Sequence, residues 1–452
     1  MIDRRAARDP LPPLPPSSSA RPTAACVVTA AEHHSTLGAY AEPTRPVRAG
    51  WIAAFAGVWL GLWMAQLVPV QVLLPLQIEA QHTSEDWLAS LVAYGIVSAI
   101  AGAFVVVAYP IVGALSDRTR SRFGRRRPWI FAGVLLVGAG LALLGIQTET
   151  VGTVIWWTVT MLGFCMASAA LTAVMADRVP ENQRGLVSGW ISAPNAFGIL
   201  LGIVLVTAVF TTTATGYLAL AVSAVVLAIP FLLRLHDVPL TPDEAAMLGP
   251  LTLGAILSSI WVDPRQHPDF VWTVVSRVLI NLSNAIATTM LLYFFTFALR
   301  MDDPTGFLVF TTVIYMVVTI VASLGFGKLS DVLGRRRVFV LASGIAQSLA
   351  ALLLAVAPAE ATAIVGAVLL GLGQGCFFAV DQALATQVLP SAESRGKDVG
   401  LMNIAQAGPQ AFGPLLGAGA VVLFGGFTGL FIASGIAGIV GSVMILRVRS
   451  VR

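Results

Sequence analysis

Twelve apolar stretches, each long enough to cross a lipid bilayer, dominate this chain. Between polar breaks they run approximately 51–77, 88–115, 129–147, 151–176, 185–210, 214–234, 271–299, 306–329, 338–357, 361–388, 398–424 and 427–446. A spanning helix takes ~20 apolar residues, because a rise of about 1.5 Å per residue must cover ~30 Å of hydrocarbon. Backbone polar groups in that medium must be satisfied within the segment, so such stretches fold as helices. Several exceed that length, which tilt accommodates. Composition agrees: of 452 residues, 57% are hydrophobic and only 11% charged, where soluble domains carry roughly a quarter. A soluble protein of this size could not cover so much apolar surface. This excludes a soluble enzyme, a disordered chain and a nucleic-acid binder. The expected fold is an all-α integral membrane protein.

The breaks fix orientation. One alternating set carries Arg118 to Arg127, Arg178, Arg184, Arg234, Arg265, Lys328, Arg335 to Arg337, Arg395, Lys397, Arg447, Arg449 and Arg452, while the other carries only Arg300 beside Glu79, Glu85, Asp86, Glu149, Asp302, Asp303 and Glu360. By the positive-inside rule both termini and the long central break are cytoplasmic, which also accounts for the net charge of +4. The expected membrane is the plasma (inner) membrane. Residues 1–49 read as a disordered cytoplasmic tail, with Pro10, Pro12, Pro13, Pro15 and Pro16 against helix or strand. A PxxP-type partner motif there is an alternative. No apolar core follows Arg4 and Arg5, so the tail is no export signal. Residues 235–270, rich in proline, form a linker between a bundle of six spans at 50–234 and a second at 271–447. Cys26, Cys165 and Cys376 suggest neither a disulfide framework nor, with the scattered histidines, a metal site. No cofactor is expected.

The two halves repeat. The break after the second span reads GALSDRTRSRFGRRRP, Gly113 to Pro128, and that after the eighth reads GKLSDVLGRRRV, Gly327 to Val338. Pro180 and Pro390, 210 residues apart, end the fourth and tenth spans. Parallel repeats of six spans imply a pseudo-two-fold axis along the membrane normal, with a solute site between the halves. The expected architecture is therefore twelve transmembrane helices in two six-helix pseudo-symmetric bundles.

With this motif present twice, the chain resembles the major facilitator superfamily over about residues 50–450. The longer first copy, Ser116 to Pro128, is similar to the corresponding loop of the sucrose–proton symporters and the related glycoside–pentoside–hexuronide:cation symporters. The resemblance implies transport by alternating access. It also implies that Asp117 faces the start of span 11 near Ser394, and Asp331 the start of span 5 near Glu181, where a carboxylate meets a positive helix end. Gating would then fall to Asp117, Arg118, Arg125, Arg126, Asp177, Asp331, Arg335 and Arg336, with the arginines pairing with Asp177, Glu181 or lipid phosphates. The alternative is that the arginines only set orientation.

Charges inside a span are costly and mostly functional. Arg277 lies nine residues past Pro268 and Asp381 nine before Pro390, each roughly 13 Å from the cytoplasmic end at 1.5 Å per residue. The resemblance puts spans 1, 4, 7 and 10 around a central cavity, which suggests an Arg277–Asp381 pair. It reads either as a proton-coupling device or as a static stitch. Asp177, at the membrane edge, reads as a gate residue first and a coupling residue second. Gln66, Gln71, Asn281, Asn284, Gln374, Gln382, Asn403 and Gln406 are candidate solute ligands, with Gln410, Trp59, Trp63, Tyr293 and Tyr315 as further lining. Amides and ring faces suit neutral polyhydroxy solutes. The same amides also serve interhelical hydrogen bonding, and tryptophans near span ends serve as interfacial anchors.

The function expected is secondary active transport of a small solute, proton-coupled, with a sugar or glycoside as substrate. Proton-driven export of an amphipathic compound is the alternative. No phosphate-binding loop supports ATP-driven transport, and the scattered histidines argue against a membrane enzyme. The partners expected are the solute, the proton and membrane lipid, with no nucleic acid and the chain a monomer.

Overall fold

The structure, a computed structural model, describes residues 46–82, 87–240, 265–387 and 395–448. The tail reading, most of the linker and Glu85 lie outside the described residues, as do the side chains of Asp331, Gln382 and Asn403. Every regular element among the described residues is helical. Twelve long helices follow the expected order: α1 (Ala49–Gln81), α2 (Trp87–Asp117), α3 (Arg127–Leu144), α4 (Thr150–Arg178), α5 (Glu181–Val204), α6 (Thr213–Arg234), α7 (Pro268–Ala298), α8 (Pro304–Leu333), α9 (Arg336–Val356), α10 (Glu360–Gln387), α11 (Arg395–Phe424) and α12 (Phe427–Met444). Eleven are long and apolar enough to span a membrane. The exception is α5, whose first turn, Glu181-Asn182-Gln183-Arg184, is polar and leaves only Pro194–Val209 as an apolar run.

Helix packing repeats with an offset of six. In the first half α1 packs on α5 and α6, α3 on α4 and α6, and α2 on α4. In the second, α7 packs on α11 and α12, α9 on α10 and α12, and α8 on α10. The halves meet where α2 packs on α11 and, as its symmetry mate, α5 on α8. Two parallel repeats produce this arrangement.

Close backbone approach fixes α10. A Cβ on Gly371 would fall 2.7 Å from the Tyr315 carbonyl of α8, and one on Gly373 would fall 2.6 Å from the Ser343 carbonyl of α9. Gly375 likewise meets Thr319 of α8. Without a hydrophobic drive between helices in lipid, such small-residue contacts carry the packing.

Three helices are not uniformly α-helical. π-helical turns occupy Pro69–Leu73 of α1, Leu205–Val209 after α5 and Phe294–Ala298 of α7. In α1, Pro69 and Pro75 supply no N–H, and a wider turn accommodates the missing bonds. One carbonyl of that turn is taken up by the Tyr94 hydroxyl, which donates to Val70 at 2.6 Å.

Candidate transport site

Three assemblies make up the candidate site: a charged cluster within the first half on the basic face, an ion pair within the second half beside a cavity lined by both halves, and an aromatic layer that joins the halves on the opposite face.

The basic-face cluster is built on the first motif copy. Gly124 has φ +103, a left-handed conformation that favours glycine, and a Cβ there would strike Asp237. The turn brings Arg125 and Arg126 back under α2 and α4, where both are buried. Arg125 pairs with Asp177 at 2.7 Å. Arg126 reaches Asp177 at 3.3 Å, donates to Ser116 Oγ at 2.6 Å and pairs with Asp117. Asp237, just past α6, accepts from the backbone N–H groups of Arg126 and of Arg127, the latter at 2.8 Å. It thus caps the positive end of α3, satisfying donors that a helix start leaves orphaned.

Asp117, Arg125, Arg126 and Asp177 are therefore brought together, and Asp117 has Arg126 as its partner. The start of α11 near Ser394, and hence the contact implied for Asp117, lies outside the described residues. Arg118 is half-buried beside the cluster. Sequence reasoning missed Asp237, which lies three residues past the arginine that ends α6. The second copy is built differently. Arg335 is exposed and Arg336 half-buried, Arg337 donates to the Val448 carbonyl, and the position matching Asp177 is Gln387.

At mid-depth Arg277 of α7 and Asp381 of α10 meet at 3.0 Å, both almost wholly buried. Arg277 Nη2 also donates to Gln406 Oε1 of α11 at 2.9 Å. Asn281 Nδ2 donates to the Arg277 carbonyl one turn back. Two charges out of water are stable only when paired and hydrogen-bonded, and this arrangement meets that condition. Gln406, expected among the solute ligands, thus holds the guanidinium.

Further along α11, Ala407, Gln410 and Ala411 line a small cavity of about 40 Å³. The rest of its wall comes from Gln66, Leu67 and Val70 of α1, from Ser98, Gly102, Val105 and Tyr109 of α2, and from Trp157, Met161 and Phe164 of α4. The helix 1 and helix 4 contributions fit the arrangement implied by the resemblance, but here α2 and α11 complete the wall. Gln66 lies on it. Gln71, Asn281, Asn284 and Gln374 do not: Gln71 is half-buried in the π turn, and the other three are buried between helices. Ser98, Tyr109 and Trp157 were missed. A signal existed, since Ser98, Gly102, Val105 and Tyr109 recur at i, i+4, i+7 and i+11 and so share one helix face.

On the opposite face Trp87 of α2 stacks on Phe297 of α7 at 5.2 Å and on Phe427 of α12 at 5.8 Å. Tyr94 of α2 packs against Tyr293 of α7 at 5.9 Å, and the Tyr293 hydroxyl donates to the Pro75 carbonyl of α1 at 3.4 Å. The two halves are joined here by ring contacts. Trp87 sits at a span end, where an interfacial anchor and an interhalf contact look alike in sequence.

Residues 84–435 match the family described as MFS/sugar transport protein. The chain belongs to the MFS/sugar transport family. Among curated proteins this family member is similar to the MFS transporter asaE of Aspergillus flavus, 24% identical over 355 residues, covering 77% of this chain and 75% of that one. Among solved structures it shares its fold with a POT family transporter in complex with a thioalcohol-conjugated peptide, at a TM-score of 0.66 and 14% identity over 88% of this chain and 94% of that one. A peptide transporter POT in complex with alafosfalin is alike to a similar degree, with a TM-score of 0.65 and 15% identity over 90% and 96% of the two chains. The chain is thus a multi-pass membrane transporter of the major facilitator type.

Proposed function

We propose that this transporter moves a small solute by alternating access, with the bundles at 50–234 and 271–447 rocking about the mid-depth cavity, and couples each cycle to a proton. The observation that carries the coupling is the buried Arg277–Asp381 pair held by Gln406. Gln406 belongs to the helix whose next turn lines the cavity. A solute pressing on α11 can therefore displace Gln406 and loosen Arg277 from Asp381. A carboxylate left alone in apolar surroundings takes up a proton, and it releases that proton when the guanidinium returns. The family description supports a sugar or glycoside as the solute.

In this reading the basic-face cluster opens and closes the cytoplasmic side and the aromatic layer the outer side, and the protein sits in the plasma membrane with both termini inside. Uptake of a labelled sugar panel into proteoliposomes, with and without a proton gradient, tests it. Gradient-driven accumulation is expected, and accumulation indifferent to the gradient refutes the coupling. One observation favours export of an amphipathic compound as a second reading: most of the cavity wall is apolar.

A further inference from the structure

We infer that the second half holds an internal water site, two helical turns from the ion pair, that hands protons to Asp381. The inference rests on the coupling proposed above and adds the route by which the proton arrives. It starts from polar atoms that the fold buries without partners. Among the described residues, Asn284 Nδ2 of α7, Gln374 Oε1 of α10 and both amide atoms of Gln347 of α9 are buried and make no hydrogen bond within the protein. None of the three residues is more than 4% exposed. Groups of this kind are costly in an apolar interior, and a fold retains them where something else meets them.

These atoms lie in one layer. Asn284 is seven residues past Arg277, and Gln374 is seven before Asp381. Seven residues make nearly two turns, so each amide stands on the same helix face as its charge, ~10 Å further along. The helices α7 and α10 run in opposite directions, so both steps lead the same way, toward the aromatic layer. Gln347 packs against Gly373, where a Cβ would fall 2.6 Å from its Cγ. Tyr315 of α8 packs against Gly371, and its hydroxyl approaches Asn284. The orphaned atoms divide into two donors, Asn284 Nδ2 and Gln347 Nε2, and two acceptors, Gln374 Oε1 and Gln347 Oε1. Water, with two lone pairs and two O–H groups, complements that set.

Asn281, one turn nearer the pair, stands between this layer and Asp381 and is bonded to the Arg277 carbonyl. While the guanidinium is in place, its charge opposes a proton passing from the layer to the carboxylate. When the Arg277 side chain swings away, water can follow it into the space beside Asn281 and Asp381. The proton then moves by hopping. Each water oxygen accepts one proton as it passes another on, Asp381 Oδ2 takes the last, and only O–H bonds form or break.

The test pairs a structural readout with a kinetic one on the full chain. Radiolysis in water enriched in heavy oxygen labels side chains that lie beside a bound water. Tyr315 should be labelled in the unaltered chain, and Gln374→Leu, which removes an acceptor, should lower that labelling roughly fivefold. In proteoliposomes Gln374→Leu and Gln347→Leu should each slow initial gradient-driven uptake roughly fivefold. The final accumulation ratio and gradient-free exchange should stay unchanged, because a route sets how fast protons arrive and not how many are used per cycle. Gln374→Ser, small enough to admit a further water, should recover most of the rate. A Tyr315 that resists labelling in the unaltered chain overturns the water site, even where a variant fails to fold. So does labelling that Gln374→Leu leaves unchanged. Unaltered uptake rates in both leucine variants overturn the relay, as does an equal loss of exchange, which marks a packing role. A labelled Tyr315 that responds to Gln374→Leu, in a chain whose uptake ignores the proton gradient, refutes the coupling and leaves the water site standing.

Discussion

Gln406 accepts a hydrogen bond from Arg277 at 2.9 Å and so ties α11, a wall of the cavity, to the ion pair between α7 and α10. A hydrogen bond to a charged group is worth about 1.5–3 kcal/mol. Gln406→Leu should therefore lower the solute concentration ratio that a fixed proton gradient sustains by at least severalfold, while solute exchange without a gradient persists. Paired accumulation and exchange assays in proteoliposomes check this. An unchanged ratio would show that the bond is packing only.

Asp381→Asn should abolish gradient-driven accumulation and leave some exchange. Arg277→Ala should uncouple in the same way, because it strands a buried acid, and should also destabilise the fold by about 3–5 kcal/mol. The decisive measurement is the double replacement Arg277→Met with Asp381→Leu. If it restores full proton-driven transport, the pair is a static stitch, and Asp177 becomes the next acid to test.

The basic-face cluster makes a prediction about stability. Gly124→Ala forces a non-glycine residue into a left-handed conformation and pushes it against Asp237. Strain of this kind costs on the order of 1–3 kcal/mol, and the lost cap of α3 about a further 0.5–2 kcal/mol. Asp237→Ala should show the cap cost alone, and Asp117→Asn about 0.3–1 kcal/mol with a shift toward opening on the cytoplasmic side. Melting temperatures in detergent should rank the three in that order.

The aromatic layer should act as a latch. Each ring pair contributes about 0.5–1.5 kcal/mol beyond its area, and Trp87 makes two interhalf stacks. Trp87→Ala should raise the population open on that face by roughly five- to a hundredfold. Accessibility of a cysteine placed at Val70, on the cavity wall, reports it, and no change in labelling rate would remove the latch from the mechanism.

Cysteine labelling should also place residue 250 and both termini in the cytoplasm and residue 85 outside. Labelling of residue 250 from outside would sink the assigned orientation.

The fold was largely legible because bilayer thickness imposes a length and lipid imposes a composition, and both can be counted. The motif copies at Gly113 and Gly327 then supplied the symmetry, which helix packing repeats. The Arg277–Asp381 pairing followed from matched depth together with the family resemblance, which implies that spans 7 and 10 lie side by side. The cavity wall was less legible. Apolar residues facing a cavity and apolar residues facing lipid look the same in sequence, so Trp157 and Phe164 gave no signal. Amides misled in the other direction: Asn281, Asn284 and Gln374 lie between helices, where a polar group can serve packing. Asp237 was hidden because its partners are backbone groups 110 and 111 residues away.

The glycines of α10 decide which member of the ion pair can travel. Backbone lies against backbone on two sides of that helix, so α10 has little room to shift against α8 and α9. Through α9 that hold passes to α12, and from α12 to α7, the helix that carries Arg277. Both charges thus stand on one tightly packed bundle. The carboxylate has a short tether and the guanidinium a long one, so the arginine side chain is the member with the reach to leave its partner while the helices stay in place.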